Sequence, residues 1–193
     1  YDNCATRPHD KIEESIAGKV IYPSKPQDGS QSFRDIVHQY CKGHPWARFG
    51  IDLCIGSEAD RPITQRQMMF APFYLMDAFA GAQIENDSIQ RPLAEAARLI
   101  VDATPETDES GWIFTPLQCA LLLFILTVGA TIYGIRRRTG LWGVDLFLFS
   151  AAGIVGCVLA FLAFFSEHPA VSSNFLLLVF HPGQLLFLPY IIY

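Results

Sequence analysis

Residues 112–134, WIFTPLQCALLLFILTVGATIYG, carry no charged side chain. At about 1.5 Å of rise per residue, a helix of this length crosses a hydrocarbon core of roughly 30 Å. Lipid offers no partner for backbone N–H and C=O groups, so the run reads as a transmembrane helix and not as a buried core helix. The rest of the chain divides around it. The 51% hydrophobic content and the net charge of −5 average over two unlike halves and describe neither. The predicted organisation is a soluble part over residues 1–110 and a membrane region over residues 111–193, with spans near 112–134, 146–165 and 175–193.

Working outward on the C-terminal side, Arg136, Arg137 and Arg138 follow the first span, and the positive-inside rule places that short loop in the cytoplasm and the soluble part outside. The second span carries Gly153 and Cys157 at a spacing suited to close helix packing, and returns the loop SEHPAVSSN to the outer face. The third is interrupted by His181, Pro182, Gly183 and Pro189. A polar group such as His181 at membrane depth is either functional or part of a helix-breaking loop.

At the other end, DNCATRPHDKIEESIAGK reads as a helix that starts at Asn3 or Cys4 and stops at Gly18. Cys4, Pro8, Ile12 and Ile16 share one face by their i, i+4 spacing, which predicts that this face is turned inward while Lys11, Glu13 and Glu14 face elsewhere. Unpaired N–H groups at a helix start, the helix dipole and nearby Arg7 favour a thiolate at Cys4. Two readings of Cys4 therefore stand together: a nucleophile, or a small buried hydrophobe. The run KVIYP is predicted as a short strand or extended piece, closed by a Pro/Ser/Gly-rich connector from Pro23 to Ser30. Ser32 caps a helix over FRDIVHQY with an apolar stripe of Phe33, Ile36, Val37 and Tyr40, and Gly43 ends it. His38 is offset from that stripe and is expected on a solvated face; His44 is expected in a turn before Pro45. Thr64 caps QRQMMFAPFYLMDAFAGA, which is broken at Pro72, ends near Gly81, and reads as core packing or as a lipid-facing surface.

Composition narrows the function. The soluble part has neither a basic excess nor a basic patch interleaved with aromatics, which argues against a nucleic-acid partner. The acidic run TPETDESG has no histidine beside it and reads as a solvated tether, so no metal is expected, and no cofactor either. Five cysteines are an odd number; Cys119 and Cys157 fall in hydrophobic segments, leaving Cys41 and Cys54 as a possible pair. The chain begins at Tyr1 without a Met or an export signal, as expected of a piece of a longer protein.

YDNCATR, FRDIVHQY with HPW, FGIDLCIGSEADRPIT, MFAPFYLMDAF and EHPAVSSNFLLL together resemble the Lnb family of bacterial lipoprotein N-acyltransferases. The resemblance implies an α+β fold, mostly helical in this chain: the C-terminal part of a permuted papain-like domain of the NlpC and lecithin:retinol acyltransferase type, followed by an α-helical transmembrane region. It implies a Cys4 nucleophile whose histidine base comes from an FGHT-like strand upstream of residue 1, a half of the domain that this sequence lacks. Asn3, Arg7, His168 and Asn174 are the expected supporting or substrate-binding residues. The implied partners are a membrane phospholipid as acyl donor, a diacylated lipoprotein as acceptor and the lipid bilayer. The implied location is the bacterial inner membrane, with the soluble part on the periplasmic side. Two other classes stay open: a membrane-anchored papain-like hydrolase acting on peptides, amides or lipid esters, and a non-catalytic membrane interaction protein.

Overall fold

The computed structural model describes residues 5–23, 31–86, 89–101 and 113–192, so that Asn3 and Cys4 lie outside the described residues. The chain is mostly helical and forms two compact units, one of residues 1–37 and 61–107, the other of residues 38–60 and 108–193.

In the first unit, α1 (Thr6–Ser15) leads through Gly18 into β1 (Lys19–Ile21). Gly18 has φ +127°, and a Cβ there would sit 2.6 Å from the Glu85 carbonyl oxygen, so only glycine allows the strand to start where it does. β1 pairs antiparallel with β2 (Gln83–Asn86), which pairs antiparallel with β3 (Ile89–Pro92). Val20 lies opposite Ile84, and Ile84 opposite Arg91. The β2–β3 pairing has no clear signal in the sequence. Its strands are four residues each and β3 is exposed throughout, so no clear alternation marks it.

The core of this unit gathers around Ile36 of α2 (Phe33–Tyr40), with Ile63 and Ala71. Phe33, Met68, Phe70 and Tyr74 pack against them, and the Phe33 and Phe70 rings meet edge to face at 5.1 Å. Complete burial of an isoleucine is worth about 1.5–3 kcal/mol, and Ile36 is 0% exposed. Ser32 caps α2 as predicted. Its N–H and hydroxyl reach Asp35 Oδ2 at 2.9 and 2.7 Å, and the Asp35 N–H donates back to Ser32 Oγ at 3.2 Å. The Met- and aromatic-rich stretch forms α4 (Gln65–Met68), with Thr64 and Gln67 in a reciprocal cap, and α5 (Pro72–Gly81), which begins at Pro72. Met68, Phe70 and Tyr74 serve the core, whereas Phe73 and Met76 are exposed.

The second unit holds α3 (Pro45–Cys54), a 3-10 turn over Ser57–Asp60, and the membrane segments. The first span is α6 (Pro116–Arg137), capped by Thr115 and Gln118, with mean hydropathy 1.9 in its most apolar window. The second is α7 (Trp142–Phe165), with mean hydropathy 2.5. The third stretch, Pro169–Ile191, is also long and apolar enough to cross a membrane. It is built from 3-10 turns at Pro169–Val171, Phe175–Leu178 and Pro182–Phe187 and ends in α8 (Leu188–Ile192). Prolines without an N–H at 169, 182 and 189 prevent one continuous α-helix.

This third stretch lies against α7. A Cβ on Gly153 would meet Leu185 at 2.7 Å, and one on Gly156 would meet the Phe180 carbonyl oxygen at 2.4 Å. The small-residue face is therefore Gly153 and Gly156, both buried, and the expected partner Cys157 is exposed. Glycines three apart lie on one helix face, and 157 lies about 40° further round, on the outer side. Cys41 and Cys54 do not pair; both are free thiols.

Candidate functional site

Cys4, the candidate nucleophile, lies outside the described residues; the described chain begins at Ala5, which flanks the N-terminus of α1. Among the described residues α1 begins at Thr6; Asn3 and Cys4, the expected entry, lie outside them. The inward face is also one residue further along than predicted. Ala5 and His9 are buried, Glu13 is partly so, and Pro8 and Ile12 are exposed. The cause is His9, 2% exposed and fully provided with polar partners. Its Nδ1 lies 2.8 Å from Asp10 Oδ1, and its Nε2 lies 3.1 Å from the Tyr22 hydroxyl and 3.2 Å from Glu13 Oε1. A buried polar ring costs little once both nitrogens have partners. The ring also packs with Tyr22 and Phe79 at centroid distances of 5.9 and 5.8 Å. Counting apolar residues alone misses such a histidine. The available signal was the i, i+4 pair His9 and Glu13 beside Tyr22.

Arg66, beside the Thr64 cap, closes the network. It donates to Glu13 Oε1 at 3.0 Å, to Glu13 Oε2 at 2.8 Å and to Asp10 Oδ1 at 3.1 Å. The Tyr22 hydroxyl donates to Glu13 Oε1 at 2.8 Å. Hydrogen bonding from Arg66 outweighs burial and holds the Glu13 carboxyl below its ordinary range, with Tyr22 and His9 helping. Burial first, then the bond to Glu13, pushes the Tyr22 phenol well above its ordinary value. Glu13 keeps the Arg66 guanidinium firmly charged. An open cleft beside the network is lined by Thr6, His9, Asp10, Thr64, Arg66 and Gln67.

Ligand atoms of His9, Asp10 and Glu13 lie within 4.8 Å of one another, the one such group among the described residues. Arg66 already bonds both carboxylates, and the guanidinium stands where a bound cation would otherwise balance their charge. The arrangement suits a rigid support for α1.

The other predicted site residues are distributed as follows. Arg7 is exposed and borders a shallow surface groove with Pro8, Asp10, Lys11 and Glu14. His168 and Asn174 share one loop in the second unit. His168 flanks the Pro169–Val171 turn, where its Nδ1 accepts from the Ala170 N–H at 3.3 Å. Asn174 is buried: its Nδ2 donates to the Leu53 carbonyl at 2.9 Å, and its Oδ1 accepts from the Leu176 N–H at 3.0 Å. It thereby satisfies an orphan carbonyl at the end of α3 and the start of the next 3-10 turn together. The same loop accepts the Gly56 N–H at Ala170 O (2.8 Å) and the Ser57 N–H at Ser173 O (3.2 Å).

Two histidines differ from expectation or resolve it. His38 is partly exposed and holds an acidic partner within the second unit: its Nε2 lies 2.7 Å from Asp52 Oδ1, with Arg48 Nε 3.8 Å from the other carboxylate oxygen. Asp52 is fourteen positions on, beyond the reach of a helical-face argument. His181 caps the Pro182–Phe187 turn by accepting the Gly183 N–H at 3.0 Å, the loop role among its two readings.

No curated protein and no solved structure matches the chain. A family model does: residues 107–193 match the Lnb transmembrane domain. The match takes in all three membrane-span-capable stretches and the turns between them, and over these residues the chain is similar to the membrane part of that family.

Proposed function

We propose that this chain is part of a lipoprotein N-acyltransferase of the bacterial inner membrane, with Cys4 as nucleophile on the periplasmic side. The observation that carries the reading is the match of residues 107–193 to the Lnb transmembrane domain, joined in one chain to the DNCATR sequence that the soluble part of that family resembles. In the first step the Cys4 thiolate attacks an ester carbonyl of a phospholipid. The tetrahedral adduct collapses, the C–O bond breaks, and the lysophospholipid leaves as an alcohol after taking up a proton. In the second step the free α-amine of a diacylated lipoprotein attacks the thioester. The C–S bond breaks, an amide forms, the amine's proton is released and the thiolate returns.

No redox partner enters this scheme. A position just ahead of a helix favours a thiolate through the helix dipole, which supports the choice of Cys4 on sequence grounds. The His9–Glu13–Arg66 network holds α1 against β1 and the Thr64 turn. Both substrates are bilayer-anchored, so an enzyme tethered by its own spans meets them at high effective concentration. The resemblance assigns the base to a strand before residue 1, so the test uses the full-length gene product. After incubation with phospholipid, mass spectrometry of the Cys4 peptide should show an acyl adduct that chases onto an added diacylated lipopeptide. Chase only to free fatty acid would convert the reading to a hydrolase. Absence of any adduct under turnover conditions would remove the covalent reading.

A further inference from the structure

α3 is tied at both ends to places where the chain leaves the bilayer. Near its N-terminus, the Trp46 indole N–H donates to the Phe114 carbonyl at 2.8 Å, one residue before the Thr115 cap of the first span. At its C-terminus, the Leu53 carbonyl accepts from Asn174, and Gly56 just beyond it donates to Ala170, both in the loop that follows the second span. A ten-residue helix is about 15 Å long, and its two tethers lie at the same end of α6 and α7. Its axis therefore runs across that end of the membrane bundle.

The helix is also two-sided. Trp46, Phe49, Gly50 and Leu53 follow i, i+3, i+4, i+7 spacing, and Arg48 and Asp52 occupy the opposite side, where Asp52 meets His38. Trp46 and Phe49 stack edge to face at 6.1 Å. Phe49 is 48% exposed, and Phe114 just ahead of the first span (53%) and Leu117 in its first turn (69%) are exposed as well.

We propose that α3 is an interfacial helix: it lies in the headgroup and acyl-chain boundary of the outer leaflet, with Phe49 and Trp46 inserted among lipid. The occupant of this surface is the bilayer itself, because Trp46 on the apolar side of α3 is bonded at the entrance to the first span and Phe49, against its ring, is exposed as Phe114 and Leu117 are. An aromatic pair with one polar tip, the indole N–H, is the chemistry favoured at that depth. The placement is independent of the acyl-transfer reading, since it uses only the helix, its tethers and the spans.

The test is tryptophan fluorescence of the full chain in phosphatidylcholine vesicles containing brominated lipids. One variant retains Trp46 alone (Trp112→Phe and Trp142→Phe). A second carries Phe49→Trp with Trp46, Trp112 and Trp142 all changed to Phe, and probes a half-exposed position that tolerates the larger ring. For a helix buried about 5–10 Å into the interface, bromine near the glycerol end of the acyl chain should quench emission by roughly half, and bromine near the chain terminus distinctly less. Quenching by aqueous iodide with no response to brominated lipid would overturn the proposal and leave this face to water or a protein partner. Stronger quenching from the chain terminus would overturn it equally, by placing the segment inside the core.

Discussion

At the scale of single residues, Cys4→Ser should abolish acyl transfer in the full-length product while leaving its melting temperature nearly unchanged. Serine is close to cysteine in shape, but its hydroxyl yields little alkoxide without a stronger base. Cys41→Ser and Cys54→Ser should retain activity, because both thiols are free and neither belongs to the His9 network. That network makes a separate prediction in pH. The folded carboxyl of Glu13 titrates below its ordinary value of 4.5, so its contribution to stability is complete above that value and is lost as pH falls through the lowered one. Thermal melts taken from about pH 6 down to about pH 3 should show an acid-side loss that is smaller in Glu13→Gln. Arg66→Ala should cost about 1 kcal/mol at neutral pH, the upper range for half-exposed ion pairs, since three hydrogen bonds to two carboxylates are lost together. An unchanged melting temperature in Arg66→Ala would show that the network does not hold α1.

At the scale of elements, the packing of the third apolar stretch on α7 ranks two similar substitutions. In Gly156→Ala the new methyl meets a backbone carbonyl, and in Gly153→Ala it meets chiefly the Leu185 side chain, which has rotamers to yield. Gly156→Ala should therefore be the more destabilising, by about 1–3 kcal/mol in detergent unfolding, with Gly153→Ala below it. Equal effects would contradict this ranking. How far the elements were legible in the sequence follows the same physics. Long-range apolarity marked α6 and α7, and the reciprocal caps at Ser32, Thr64 and Thr115 rest on side chains three residues apart, which a sequence displays directly. The phase of α1 was not legible, because it is set by His9 meeting Tyr22, 13 positions away, and by Asp10 and Glu13 meeting Arg66, 56 and 53 positions away, and a polar residue does not announce burial. The short β2–β3 hairpin lacked alternation. Asn174 was picked out as a site residue, but its bond to Leu53 spans 121 positions and joins elements that only the fold brings together.

At the scale of the molecule, the loop of residues 166–174 decides the topology. Its hydrogen bonds to Leu53, Gly56 and Ser57 place it on the same side as residues 38–60, and the Trp46 bond to Phe114 places the start of the first span there too. α6 and α7 are 22 and 24 residues long, enough to carry the turn between them to the far side. That turn holds Arg136, Arg137 and Arg138, and the positive-inside rule predicts it on the cytoplasmic side and the docked loop outside. Gly56 is the tightest point of the docking: a Cβ there would fall 1.8 Å from the Ser172 carbonyl oxygen, so Gly56→Ala should release the loop and expose it to added protease. In a background with the native cysteines replaced by serine, a membrane-impermeant maleimide applied from the periplasm should label Ser172→Cys and miss Thr139→Cys until the membrane is opened. Labelling of Thr139→Cys alone would reverse the orientation and place the Cys4 segment on the cytoplasmic side. The outer-leaflet chemistry would fall with it, because neither a periplasmic lipoprotein amine nor an outer-leaflet ester would then face the nucleophile.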